Sequence, residues 1–346
     1  MISQMQYVYF KKLILWLIIN VRRKTHKKIR GGNPLKLLTY STNDNPLRLG
    51  ILADENTIVD PQQAYIELLT KSGQKRAAEI ATALLPANPT EFIANGDLAL
   101  KTAQEAIAFA LENAEQSSAI YKKENVQIGA PVLKPNKIIC VGLNYKNHIL
   151  EMKRDLPVHP VIFAKFATAI SGPNDTFPLN SNLTKKLDYE AELAFVVGKE
   201  GKDISYEDAL DYVYGYTVAN DITARDMQKR TIQWLQGKTL DKSLPLGPVL
   251  VTKDEIPNPH NLDISLTVNE EVRQKSNTEQ LLFNVNHLVE FLSGFLTLEP
   301  GDIILTGTPG GVGEAQNKFL QNGDKVKVEI AGIGAIQTTI VEVSKA

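Results

Sequence analysis

The stretch from residue 188 to 197, Asp188-Tyr189-Glu190-Ala191-Glu192-Leu193-Ala194-Phe195-Val196-Val197, constrains this chain more than any other. A two-residue period puts Tyr189, Ala191, Leu193 and Phe195 on one face of a strand and Glu190 and Glu192 together on the other. Carboxylates at successive same-face positions repel one another, and a divalent cation held between them removes that cost. A second apolar strand, residues 216–220, runs into Asp221, which offers a third oxygen ligand. Three carboxylates with no histidine or cysteine beside them suit a hard ion, Mg²⁺ or Mn²⁺, with positions left for water and substrate. The competing reading is an edge strand whose polar face is solvated.

Composition narrows the rest. At 346 residues the chain is long enough for one large and one small domain. A net charge of −1 gives no general attraction to nucleic acid or to anionic membranes. The single cysteine, Cys140, excludes an intrachain disulfide and points to a reducing compartment, the cytoplasm; its apolar neighbours mark it as a buried structural thiol. No phosphate-binding or dinucleotide-binding glycine motif and no paired Cys/His zinc spacing occurs.

Three segments follow along the chain. Residues 1–34 combine an apolar run at 13–19, too short to span a bilayer, with a basic cluster at 22–28. They read as a disordered extension or an upstream start, the alternative being a membrane-surface or targeting segment. Residues 35–130 read as a small α/β lobe, with short strands at 35–40, 47–52 and 57–60 and helices at about 64–85 and 99–114. Residues 131–346 read as the larger, strand-rich domain, a mixed β roll or sandwich of α+β type and not a doubly wound parallel sheet.

Candidate functional side chains fall mostly in this larger part. In a helix after the strand at 137–142, His148 and Glu151 stand one turn apart, and a carboxylate beside an imidazole raises its basicity. The alternative is a chance surface pair. Lys165 interrupts an apolar run and either snorkels outward or meets an anion in a pocket. After Asp221, Thr223 is placed to cap a helix on which Arg225 and Gln228 share a face; Arg225 suits bidentate capture of a carboxylate, or an ion pair with Asp226 or a neighbour. Lys238, after Gly237, either complements a helix end or stabilises an oxyanion beside the metal. The run Gly307-Thr308-Pro309-Gly310-Gly311-Val312-Gly313 lets backbone amides approach a carboxylate. His26, His159, His260 and His287 receive no role.

Taken together these motifs resemble the fumarylacetoacetate hydrolase family. The resemblance rests on Val141-Gly142-Leu143-Asn144-Tyr145 with His148 and Glu151, on Phe163-Ala164-Lys165, on residues 188–194 and 220–228, on Gly237-Lys238 and on residues 305–313, and it covers the chain from about Pro131 onward. It implies a β-roll catalytic domain, a homodimer, and Mg²⁺ or Mn²⁺ held by Glu190, Glu192 and Asp221. It further implies a water-activating dyad of His148 and Glu151, charge stabilisation by Lys238, and substrate contacts from Lys165, Arg225, Gln228 and Thr308. Some members carry a fourth acidic ligand near the dyad; here that region reads Leu143-Asn144-Tyr145, without it. The expected reaction is hydrolysis of a C–C bond in a 2,4-dioxo acid through a metal-stabilised enolate. The alternatives on the same site are isomerisation of a 2-hydroxy-dienoate, decarboxylation of oxaloacetate, or non-catalytic binding of an oxo acid.

Overall fold

The acidic strand lies inside a sheet. In the computed structural model, which describes residues 35–42, 45–151 and 155–343, Ala191–Val197 pairs antiparallel with Val213–Asn220 on one side and with Ile303–Leu305 on the other. All of its residues are buried, so the edge-strand reading with a solvated face is set aside. Residues 1–34, read as an extension, lie outside the described residues.

The sheet extends from this strand in both directions. Beyond Val213–Asn220 come Leu244–Thr252, Lys36–Ser41, Arg48–Leu52, Thr57–Val59 and Ile120–Lys122; beyond Ile303–Leu305 come Ile138–Gly142 and Val161–Ala164. Most pairings are antiparallel, with Ile303–Leu305 running parallel to Ile138–Gly142. A second, five-stranded sheet is built from Glu271–Asn277, Asp263–Val268, Lys325–Ile330, Gly334–Glu342 and Thr176–Leu179. The inner faces of the two sheets share one apolar core, in which Leu193, Phe195, Val218 and Val251 meet Leu266, Val328 and Ile340. This is the mixed, sheet-rich α+β architecture expected.

The described residues from Leu35 onward form one compact unit. The sheet crosses the boundary read at residue 130: Lys36 and Leu37 pair with Val251 and Leu250, and the Leu35 N–H donates to Thr252 Oγ1 across a separation of 217 residues. The helical stretch read at 64–85 is two helices, Pro61–Lys71 and Ala77–Leu84. Gly73 between them takes φ +74, a left-handed conformation that ends the first. Asn88 caps an unforeseen helix, Pro89–Ala94, and Gly96–Glu112 follows it. A short 3₁₀ turn, Ala209–Tyr212, leads into Val213–Asn220. No helix among the described residues is long and apolar enough to cross a membrane.

Phe195, fully buried between the sheets, anchors the acidic strand from behind. Phe195→Ala is expected to lower unfolding free energy by about 3–5 kcal/mol, measured by urea denaturation followed by circular dichroism. A loss below about 1 kcal/mol would show that the strand is not fixed by this packing.

Candidate active site

Antiparallel pairing of Ala191–Val197 with Val213–Asn220 brings the three acids together at the end of the pair away from its connection, where Ala191 lies opposite Asn220. Glu190 precedes the strand, Glu192 lies on it, and the Asp221 N–H donates to the Glu190 carbonyl at 2.9 Å. All three side chains are buried, and one carboxylate oxygen from each lies within 4.8 Å of the others. Their environments differ. Burial raises Glu192 well above the ordinary carboxylate range, with the Asp221 and Glu190 carboxylates adding to it against a short hydrogen bond from the Gly307 N–H. Burial acts the same way on Glu190, but the Lys238 and Arg225 cations outweigh it and hold that carboxyl at about 2.

Those cations arrive on separate elements. Lys238 ends the short helix Leu235–Lys238 and places Nζ 2.6 Å from Glu190 Oε2 and 2.8 Å from Asp221 Oδ2, over the Phe163 ring. Gly237 permits this approach: a Cβ there would lie 2.5 Å from the Ala224 carbonyl oxygen and from the Gln228 nitrogen. Arg225 opens the helix Arg225–Gln228; its Nε donates to Asp188 Oδ2 at 2.8 Å and its Nη1 to Gln228 Oε1. Its Nη2 lies 2.7 Å from Glu190 Oε1 but out of hydrogen-bond alignment. The pairing with Asp188 and Glu190 replaces the one considered with Asp226, whose carboxylate instead accepts from Thr184 and from backbone N–H groups. Thr223 does not cap this helix: it sits in the two-residue strand Thr223–Ala224 opposite Leu187–Asp188, and its hydroxyl donates to the Asp221 carbonyl. Lys165 is fully buried and bonds Asp221 Oδ1 at 2.6 Å, so it stands behind the carboxylate rather than in the cleft.

The cleft is lined by Val141, Leu143, Phe163 and Trp234 on its apolar side and by His148, Glu190, Glu192, Arg225, Gln228, Lys238 and Thr308 on its polar side. His148 reaches it from the helix Lys146–Glu151. Leu143, at φ +53, turns the chain into that helix, and Asn144 pins the turn by bonding Phe283 and Thr306 backbone groups. His148 Nδ1 lies 3.6 Å from Glu151 Oε2, an ion-pair distance and too long for a hydrogen bond. The imidazole, then the Gly311 N–H, hold the Glu151 carboxyl below its usual range.

A family model described as fumarylacetoacetate (FAA) hydrolase C-terminal matches residues 137–341. The chain belongs to the fumarylacetoacetate hydrolase family. Among its relatives, the mitochondrial oxaloacetate tautomerase fahd2 of Xenopus laevis is 42% identical over 89% of this chain and 90% of its own. The oxaloacetate tautomerase YisK of Bacillus subtilis is 42% identical over 86% and 97%. The solved fumarylacetoacetate hydrolase of Exiguobacterium antarcticum is 33% identical, with a TM-score of 0.71 over 89% of this chain and all 100% of that one. The 2-hydroxyhepta-2,4-diene-1,7-dioate isomerase of Mycobacterium marinum is 29% identical, with a TM-score of 0.65 over 90% and 100%.

For a family member, the donor set fits a divalent ion. It is all oxygen, buried and convergent, and a dication would offset both the burial and the carboxylate repulsion that raise Glu192. Sequence reasoning missed two residues beside it. Asp188 is fully buried and accepts from Arg225 Nε and from the backbone N–H groups of Tyr189, Gly313 and Glu314, so it locks the arginine to the glycine loop. Gln274 bonds the same loop at Thr308 and Pro309. Asp188 was open to suspicion as a charge heading an apolar strand, whereas nothing in the polar run around Gln274 singled it out.

Asp188→Ala leaves the buried Arg225 guanidinium facing Glu190 alone. It is expected to cost about 3–5 kcal/mol of stability, read as a lowered denaturation midpoint in urea. An unchanged midpoint would mean that Asp188 does not carry the guanidinium.

Proposed function

We propose that this enzyme interconverts the enol and keto forms of oxaloacetate or a closely similar 2-oxo diacid, with Mg²⁺ or Mn²⁺ held by Glu190, Glu192 and Asp221. The observation that carries the reading is one cleft lined by Glu190, Glu192, His148, Lys238 and Arg225, with Asp221 completing the acidic triad behind it and Glu151 beside His148. Relatives 42% identical over most of their length bear the name oxaloacetate tautomerase, which supports the substrate. A bound ion would polarise the 2-oxo oxygen and stabilise the enolate.

The remaining chemistry falls to side chains. Tautomerisation moves one proton off the enol oxygen and delivers one to C3, with no net gain or loss of atoms and no attacking water. His148, buried beside the cleft with Glu151 at its Nδ1, is the group suited to carry that proton. Lys238 and Arg225 supply N–H groups to carboxylate and enolate oxygens. Phe163, Trp234, Val141 and Leu143 form an apolar wall that limits water around the enolate.

A second reading keeps the C–C hydrolysis expected from the sequence. The same His148–Glu151 pair suits activation of a water, and a structural neighbour at 28% identity and TM-score 0.67 is named maleylpyruvate hydrolase. Two assays on the purified protein with Mg²⁺ separate the readings: decay of enol absorbance from oxaloacetate, and pyruvate release from acetylpyruvate. The tautomerase reading expects accelerated enol decay, lost in EDTA and reduced about 10²–10⁴-fold in His148→Ala. Cleavage of acetylpyruvate without accelerated enol decay would replace it with hydrolysis.

A further inference from the structure

Gln274 lies on Glu271–Asn277, a strand of the second sheet on which it alone is buried. It is 1% exposed and uses its whole amide: Oε1 accepts the Ala191 N–H at 2.9 Å, and Nε2 donates to Thr308 Oγ1 and to the Pro309 carbonyl, both at 2.8 Å. The orientation of this amide is forced by its neighbours. A backbone N–H can only donate and a proline carbonyl can only accept, so the carbonyl end must face Ala191 and the NH₂ must face the loop.

That has a consequence for Thr308. Its hydroxyl is compelled to accept from Gln274, and it donates to no protein acceptor among the described residues. Thr308 also lines the cleft. We propose that Gln274 is a positioning residue that fixes Thr308 as a hydrogen-bond donor to an anionic oxygen of the substrate, a claim that rests on reading the cleft as an oxo-acid site. Ala191 lies between Glu190 and Glu192, so the same amide sets the spacing between the donor and the acidic triad. The loop is held to match: a Cβ on Gly311, at φ +100, would lie 2.0 Å from the Arg273 carbonyl oxygen, and the Tyr189 hydroxyl donates to the Gly311 carbonyl. Gly311 and Thr308 thus meet adjacent residues of one strand, Arg273 and Gln274.

Polarity, rather than packing, is what the proposal puts at stake. In Gln274→Glu the oxygen facing the loop would accept the Thr308 proton and turn it away from the cleft. Gln274→Met keeps the volume and removes the constraint. The probe is oxalate, a planar dianion shaped like the enolate of a 2-oxo acid, titrated calorimetrically into the full chain loaded with Mg²⁺, with melting curves for each variant. Thr308→Val is expected to weaken oxalate roughly tenfold and Thr308→Ser to retain it. Gln274→Glu is expected to weaken it by a similar factor in the Thr308 background and by less than about twofold when Thr308 is already Val. If Gln274→Glu does not fold, Gln274→Met is expected to show the same dependence on background with a smaller loss.

Equal losses in both backgrounds, or unchanged affinity in both Gln274 variants, would reduce Gln274 to a structural residue. Oxalate that fails to bind the wild type would overturn the donor assignment. The titration does not depend on which reaction is catalysed, so failure of the tautomerase assay with this coupling intact would count against the activity alone.

Discussion

Three carboxylates are buried at one point, and the rest of the site exists to make that tolerable. A buried charge without partners costs several kcal/mol, and here Lys165 meets Asp221, Arg225 meets Glu190 and Lys238 meets both, each cation coming from a different element. The compensation is uneven. Glu190 and Asp221 receive cations on their oxygens, whereas among the described residues Glu192 accepts only a backbone N–H. The least compensated acid lies within reach of the other two, so a hard dication held there would be drawn by that imbalance as well as by oxygen geometry.

How much of this could be read from the residues depended on whether a signal was periodic. The alternation through Glu190 and Glu192 survives in the fold because a strand turns every second side chain to one face. Asp221 was legible as the residue just after the next strand, Val213–Asn220. Directions that depend on tertiary contact were not legible. Whether Lys165 pointed out or in was left open, and it points in, onto Asp221 rather than into the cleft. Thr223 had the chemistry of a cap, but its backbone was taken by a strand pairing with Asp188. Gln274 sits in a run of polar residues that looks like any solvated strand, and only the glycine loop packed on it shows otherwise.

The family and the reaction were legible to different degrees for a chemical reason. The acids, the His148–Glu151 pair and Lys238 stand in a fixed order along the chain, and that order is what marks the family. On the function proposed above, tautomerisation and hydrolysis diverge in whether His148 serves a carbon or a water. The apolar residues lining the cleft, Phe163, Trp234, Val141 and Leu143, stand at positions whose identities carry no pattern of their own.

The first described strand, Lys36–Ser41, takes part of its pairing from Leu244–Thr252, which the ribosome delivers some two hundred residues later. Until then its early partners are Arg48–Leu52 and Gln127–Gly129, and the flank facing residues 250–251 stays open. Closing so long a loop is slow relative to local pairing, and the strand that closes it follows directly on the segment bearing Lys238. This flank of the sheet therefore closes only with the stretch of chain that follows Lys238, and the sheet as a whole waits for Ile303–Leu305, later still along the chain.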